Sequence, residues 1–169
     1  MSFHFIRRIC TAIVVLFFAV GFSIPAQADR GNLNGPFPCI SDPGGSTVEI
    51  SNGVTFWVGT FTCTTYSNSG KGLFHGTAWK CIGTADIKDG FAGGGGYCRV
   101  TDRDGDVAQV RWDVGDPGGF TTGWTTVGKL LSGTGKYSGI SGSYKAKWHL
   151  VPNTSAYIGE IINSSYSTP

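Results

Sequence analysis

The chain has 169 residues, 40% of them hydrophobic and 14% charged, with 27 glycines and a formal charge of +2. That length is enough for one domain with a substantial core. The near-neutral balance of 13 cations and 11 acids gives no electrostatic case for nucleic acid or an anionic membrane as a partner.

In chain order, the first expected element is an export signal. Arg7 and Arg8 stand before an apolar run over residues 9–22, which leads into Ser23-Ile24-Pro25-Ala26-Gln27-Ala28. A charged region, an apolar region and an A-x-A site in that order form a cleavable signal peptide. The apolar run is shorter than the roughly 20 residues that cross a bilayer. Ile9-Cys10-Thr11 does not extend the arginine pair into a twin-arginine signal, and Cys10 precedes the apolar run, a poor position for lipidation. The expectation is a signal peptide over 1–28, a mature chain of 29–169, and a secreted or periplasmic protein with no membrane attachment after cleavage.

Cleavage changes two counts. The loss of Arg7 and Arg8 lowers the cations from 13 to 11, equal to the acids, and the loss of Cys10 leaves four of the five cysteines. An even set in an exported chain reads as two disulfides. None of Cys39, Cys63, Cys81 and Cys98 stands at metal-ligand spacing from another, and His75 lies far from His149 in the chain, so neither a structural zinc site nor any other metal or cofactor is expected.

After residue 29 the chain alternates β-rich runs with turn residues. Strands are expected over 47–51, 54–66, 73–87, 91–101, 107–114, 124–131, 141–151 and 156–162. Asn52-Gly53 is a strong hairpin signal between the first two. Lys88-Asp89-Gly90 and residues 102–106 mark further turns. Sequential hairpins favour an antiparallel meander, and eight strands are enough to close into a barrel that holds side chains or one small ligand. Closure also removes exposed sheet edges. The fold expected is an eight-stranded antiparallel β-barrel, with a β-sandwich as the alternative.

Period-two alternation assigns faces. Ala108, Val110, Trp112 and Val114 share one face, opposite Gln109, Arg111 and Asp113; Tyr144, Ala146, Trp148 and Leu150 oppose Ser143, Lys145, Lys147 and His149. In the run after Leu73 both faces are partly apolar. A Cys81–Cys98 bond across the Lys88-Asp89-Gly90 hairpin puts Leu73, His75, Thr77 and Trp79 on the inner face. Trp57 and Phe61 of the preceding strand then share the interior. Four cysteines allow three connectivities; the pairing taken is Cys81–Cys98 with, by elimination, Cys39–Cys63.

The segment over 131–142, Leu-Ser-Gly-Thr-Gly-Lys-Tyr-Ser-Gly-Ile-Ser-Gly, resembles the G-T-G-aromatic connection of the allene oxide cyclase and dirigent-protein barrels. The D-x-D-G-D turn over 102–106 resembles one that accompanies this connection in bacterial secreted proteins of that type. The resemblance covers about the last 70 residues. It implies a barrel with an apolar interior pocket, used in plant cyclases to cyclise a fatty-acid epoxide and in dirigent proteins to steer phenoxy-radical coupling. The catalytic carboxylate of neither group maps onto Glu49 or Glu160, so the resemblance carries a fold without a reaction.

Other motifs fall short of their chemistry. Counted from Asp102, the sixth and twelfth residues are Val107 and Asp113, where an EF-hand loop needs Gly and Glu; a polar hairpin tip with Gly105 at positive φ is the preferred reading over a calcium site. The glycines at 93–96 lack the Lys-Ser/Thr and helix of a phosphate loop. No serine, cysteine or threonine sits in a nucleophile motif. His75 is the candidate general acid/base, and Trp57, Phe61, Trp79, Trp112, Tyr144 and Trp148 are the candidate lining. The expected partner is a hydrophobic or aromatic small molecule, bound and, on the family resemblance, isomerised or cyclised without a cofactor. The alternative is a non-enzymatic secreted module with a filled core.

Overall fold

A computed structural model describes residues 29–120 and 122–169; the export signal expected over 1–28 lies outside the described residues. The N-terminal segment contributes three short strands, β1 (Arg30–Gly31), β2 (Gly35–Pro36) and β3 (Cys39–Ser41). Eight longer ones follow: β4 (Ser46–Ser51), β5 (Val54–Thr65), β6 (Thr77–Ile87), β7 (Phe91–Thr101), β8 (Val107–Val114), β9 (Trp124–Gly133), β10 (Ser141–Leu150) and β11 (Ala156–Ser167). From β5 to β11 each strand pairs antiparallel with the next, and β3 bridges β5 and β11. The result is a closed eight-stranded antiparallel barrel. Among the described residues no helix is long and apolar enough to cross a membrane.

The ring differs from the expected one in a single member. The run at 47–51 is indeed a strand, but β4 pairs only with β5, outside the ring, and all its residues are exposed. The closing strand is β3, whose Cys39 lies opposite both Cys63 of β5 and Tyr157 of β11. Pro36 and Pro38 flank Phe37 just before it. Proline removes a ladder donor, which hides this segment from a search for strands. The seam is fastened covalently, since Cys39 and Cys63 form one disulfide and Cys81 and Cys98 the other. Both join residues directly opposite in register, and the pairing is the one expected. Two disulfides are consistent with an extracellular or periplasmic protein.

Three register slips within the ring reverse the alternation of faces, and a fourth, between Glu49 and Ser51, lies in the outer β4–β5 pair. The β8–β9 register slips between Gln109 and Val110, where Leu131 is the extra residue and Ser132 turns outward, and the β10–β11 register slips between Lys145 and Ala146, where Ile162 is the extra residue and Asn163 turns outward. The third slip falls between Asp86 and Ile87 in β6–β7. Bulges bend strands and tighten their twist, as closing a narrow barrel requires. They also explain why the expected strands at 124–131 and 156–162 stop short, since β9 and β11 continue to Gly133 and Ser167 in the opposite phase.

Inside the ring, the large aromatic side chains lie over glycines of neighbouring strands. Trp148 faces Gly159 in register and Tyr144 faces Gly128. The Trp112 ring crosses Gly96 of β7 to rest on Gly83 of β6. A methyl group added at Gly159, Gly128 or Gly83 would overlap the ring above it. None of the three has a positive φ, so the requirement is for space. A narrow barrel fits large side chains only by alternating them with small ones.

One end of the barrel is plugged. At the end where β5, β7 and β9 finish, Trp79 and Tyr137 are fully buried with Phe74, Leu33 and Ile140. The Trp79 indole Nε1 donates to Thr65 Oγ1 (3.0 Å) and Thr77 Oγ1 (2.9 Å), and Thr65 Oγ1 donates to the Phe74 carbonyl (2.8 Å). Phe37 lies above Trp79, with ring centroids 4.8 Å apart, and the same ring touches Trp148 at 4.9 Å. Phe37 thus separates the solid half of the interior from the half toward the opposite mouth.

The glycine requirement is testable by adding one carbon. Gly128→Ala and Gly159→Ala should each lower unfolding free energy by about 1–3 kcal/mol, the usual cost of overpacking a filled core. Ser143→Ala, at an exposed neighbouring position, should change it by less than about 0.5 kcal/mol. Urea denaturation with disulfides intact measures all three, and wild-type stability in both glycine variants would contradict the packing described.

Candidate functional site

An apolar cavity occupies the half of the barrel toward the open mouth, where β5, β7 and β9 begin. Water-sized molecules fit within about 60 Å³ of it. Five of the six side chains expected from the sequence line it: Trp57, Phe61, Trp112, Tyr144 and Trp148. The sixth, Trp79, lies beneath in the plugged half, screened by Phe37 and held by its two threonine hydrogen bonds.

Four more rings complete the wall. Phe37 forms the floor, while Phe91, Trp124 and Tyr157 stand near the mouth. Phe91 packs on Trp124 with centroids 4.4 Å apart, and Trp124 meets Tyr157 edge-on at 6.0 Å. Trp124 was recoverable from parity, because it shares a face with Thr126, Gly128 and Leu130. Phe91 and Tyr157 sit at strand starts, where alternation has too little length to assign a face. Phe37 lay in the segment that prolines disguise.

The polar atoms of this wall are few. Thr126 Oγ1 accepts the Trp148 indole N–H at 2.9 Å, and Ser41 Oγ donates to the Tyr157 hydroxyl at 2.8 Å. Trp112 Nε1 is buried without a hydrogen-bond partner among the described residues. Burial pushes the Tyr144 hydroxyl well above the ordinary tyrosine range. Among the described residues the lining carries no carboxylate, imidazole, amine or guanidinium. Such a wall offers apolar contact and aromatic packing to whatever enters it.

His75 does not face this cavity, contrary to the expectation from parity. β6 begins only at Thr77, and Gly76 at φ 71° interrupts the alternation that would carry the inner face back to His75. The imidazole instead belongs to a polar recess at the plugged end, with Asp29, Asp102 and Lys136, its Nδ1 unpartnered and its ring 5.9 Å from Tyr66. It therefore stands apart from the aromatic cavity.

The two glycine-rich motifs meet at that plugged end. Asp102 Oδ1 accepts the backbone N–H groups of Asp104 (2.8 Å) and Asp106 (3.0 Å), which forms the hairpin tip. Lys136 Nζ then pairs with Asp102 Oδ2 (2.7 Å) and Asp104 Oδ2 (2.6 Å), while its backbone N–H donates to Asp106 Oδ2 (3.2 Å). Gly133 and Gly135 have no room for a side chain, the first against Tyr137 and the second against the Asp106 carboxylate at φ 50°. Thr134 closes the join, its N–H donating to the Val107 carbonyl and its hydroxyl accepting the Val107 N–H. The D-x-D-G-D and G-T-G-K-Y segments are thus two halves of one clamp, which seats Tyr137 in the plug. Among the described residues no group of three metal-ligating side chains is arranged to hold an ion.

No family model matches the chain, and neither a curated protein nor a solved structure matches it.

The clamp has a pH signature. Burial raises the Asp102 carboxyl, but the Lys136 ammonium and the two backbone N–H donors outweigh it and hold it below its ordinary value of 3.8. A carboxylate lowered in the folded state stabilises the fold above the unfolded value and loses that contribution as pH falls through the folded one. Asp102→Asn should therefore cost about 1.5–3 kcal/mol near pH 7, with the gap from wild type closing below about pH 4. Thermal melts from pH 2 to 8 check this, and a gap independent of pH would contradict the clamp.

Proposed function

We propose that the protein is an exported barrel, cleaved after Ala28, that binds a small, flat, uncharged apolar or aromatic molecule at its mouth. The observation that carries this reading is a cavity walled by aromatic rings, closed below by Phe37 and free of ionisable side chains apart from tyrosine hydroxyls. A core that existed only to be filled has no need of unfilled space between rings, so the cavity favours binding over a purely structural module. The export signal read from residues 1–28 and the two disulfides support the location. The likeness of residues 131–142 and 102–106 to allene oxide cyclase-type barrels supports an interior ligand.

The geometry favours binding over cyclisation or isomerisation. Those reactions call for a group that moves a proton or stabilises charge, and the lining offers only hydroxyls and indole N–H groups. At about 60 Å³ the cavity is too small for a folded long acyl chain and smaller than the roughly 150 Å³ that holds a benzene ring, so a ring would occupy the open mouth as well. Calorimetric titration with toluene and indole tests the reading. We expect saturable binding to the wild type and none to Val114→Phe, which adds a ring to the cavity wall, with the variant's unfolding midpoint little changed. Absence of saturable binding to the wild type would remove the proposal.

A further inference from the structure

Ring closure covers the long strand edges with one exception. Among the described residues, each strand from β5 to β11 has neighbours on both sides, with β1, β2 and β3 lying along β11, and β3 and β4 along β5. β4 itself pairs with β5 alone, and all six of its residues are exposed, so no other described element lies over its second edge. Val48 is 60% exposed and Ile50 59%. A free edge presents unpaired N–H and C=O groups to any other extended chain, and folded proteins commonly block it with lysine or proline. Ser46–Ser51 contains neither. Its bulge lies at the turn end, after Glu49, and leaves the first four residues in regular register.

We infer that this edge docks a second copy of the chain, through antiparallel two-fold pairing of β4 with β4 about Val48. The strand is its own complement in that register. Val48 meets Val48 of the second copy, Ser46 meets Ile50, and the single charge of the strand, Glu49, meets Thr47. Two-fold symmetry makes each unlike contact twice, and Glu49 does not face itself, which would be destabilising. On the outer face Val48 also lies opposite Phe56 of β5, so pairing joins Val48 and Phe56 of both copies in one apolar row. No net charge holds the copies apart, since 11 cations and 11 acids follow residue 28. A single strand pair falls below the roughly 1,200 Å² at which stable interfaces begin, so the dimer dissociates on dilution.

Sedimentation equilibrium of residues 29–169, diluted from millimolar to micromolar, tests the pairing. The wild type should pass from dimer to monomer across the series, and amide exchange of residues 46–50 should slow as concentration rises. Three substitutions at exposed positions, which leave the fold in place, locate the contact. Val48→Lys sets like charges face to face at the two-fold axis and should weaken the dimer about tenfold. Thr47→Lys sets a cation opposite Glu49 of the second copy, twice over, and should tighten it about threefold. Ile82→Lys, on β6 of the barrel wall, should leave it unchanged. A wild type that stays monomeric throughout would overturn the inference and leave the edge to a foreign extended segment or to solvent. A dimer that Val48→Lys leaves intact, that Thr47→Lys weakens, or that Ile82→Lys weakens as much as Val48→Lys would overturn the pairing about Val48.

Discussion

The structure depends on large rings lying over bare backbone. Trp148 on Gly159, Tyr144 on Gly128 and Trp112 on Gly83 each place a bulky side chain across a strand that contributes no Cβ beneath it. Eight strands enclose little more than the volume of the side chains they point inward. Rings of this size fit only where the opposing position is empty. The same arrangement holds the rings at set positions around the mouth, so the high glycine content and the aromatic cavity have one cause.

The two ends of the barrel have separate tasks. At the plugged end, the half-buried Asp102–Lys136 pair joins the hairpin tip to the G-T-G segment, and Tyr137 and Trp79 fill the space beneath it. At the mouth, nothing comparable fills the ring. The Cys39–Cys63 bond joins β3 to β5 at the seam, and Cys81–Cys98 crosses the wall between β6 and β7. Cys39 and Cys98 both border the cavity. Cys63 lies opposite Trp79 of the plug, so the links fasten the wall where the two halves meet.

The sequence was legible where alternation runs long without interruption. β8 and β10 show the expected faces, with Val110, Trp112, Tyr144 and Trp148 inside and Gln109, Arg111, Lys147 and His149 exposed. It became illegible at breaks in phase. Gly76 cuts His75 out of β6, and the bulges at Leu131 and Ile162 conceal the last turns of β9 and β11. The prolines around Phe37 mask the segment that closes the ring. The cavity was a further step removed, because it follows from which ring lies over which glycine across the sheet. That pairing is a property of register between strands, and alternation along one strand does not contain it.

On the proposed binding reading, the rings at the mouth surround the ligand while the plugged half does not take part. The five tryptophans report on it directly in protein labelled with ¹⁵N at the indole nitrogen. Trp57, Trp112, Trp124 and Trp148 line the cavity, and Trp79 sits in the plug with its N–H already bonded. On titration with toluene, the indole resonances of Trp57, Trp112, Trp124 and Trp148 should move and that of Trp79 should stay in place. Movement of Trp79 with the others, or no movement of the four, would contradict the account.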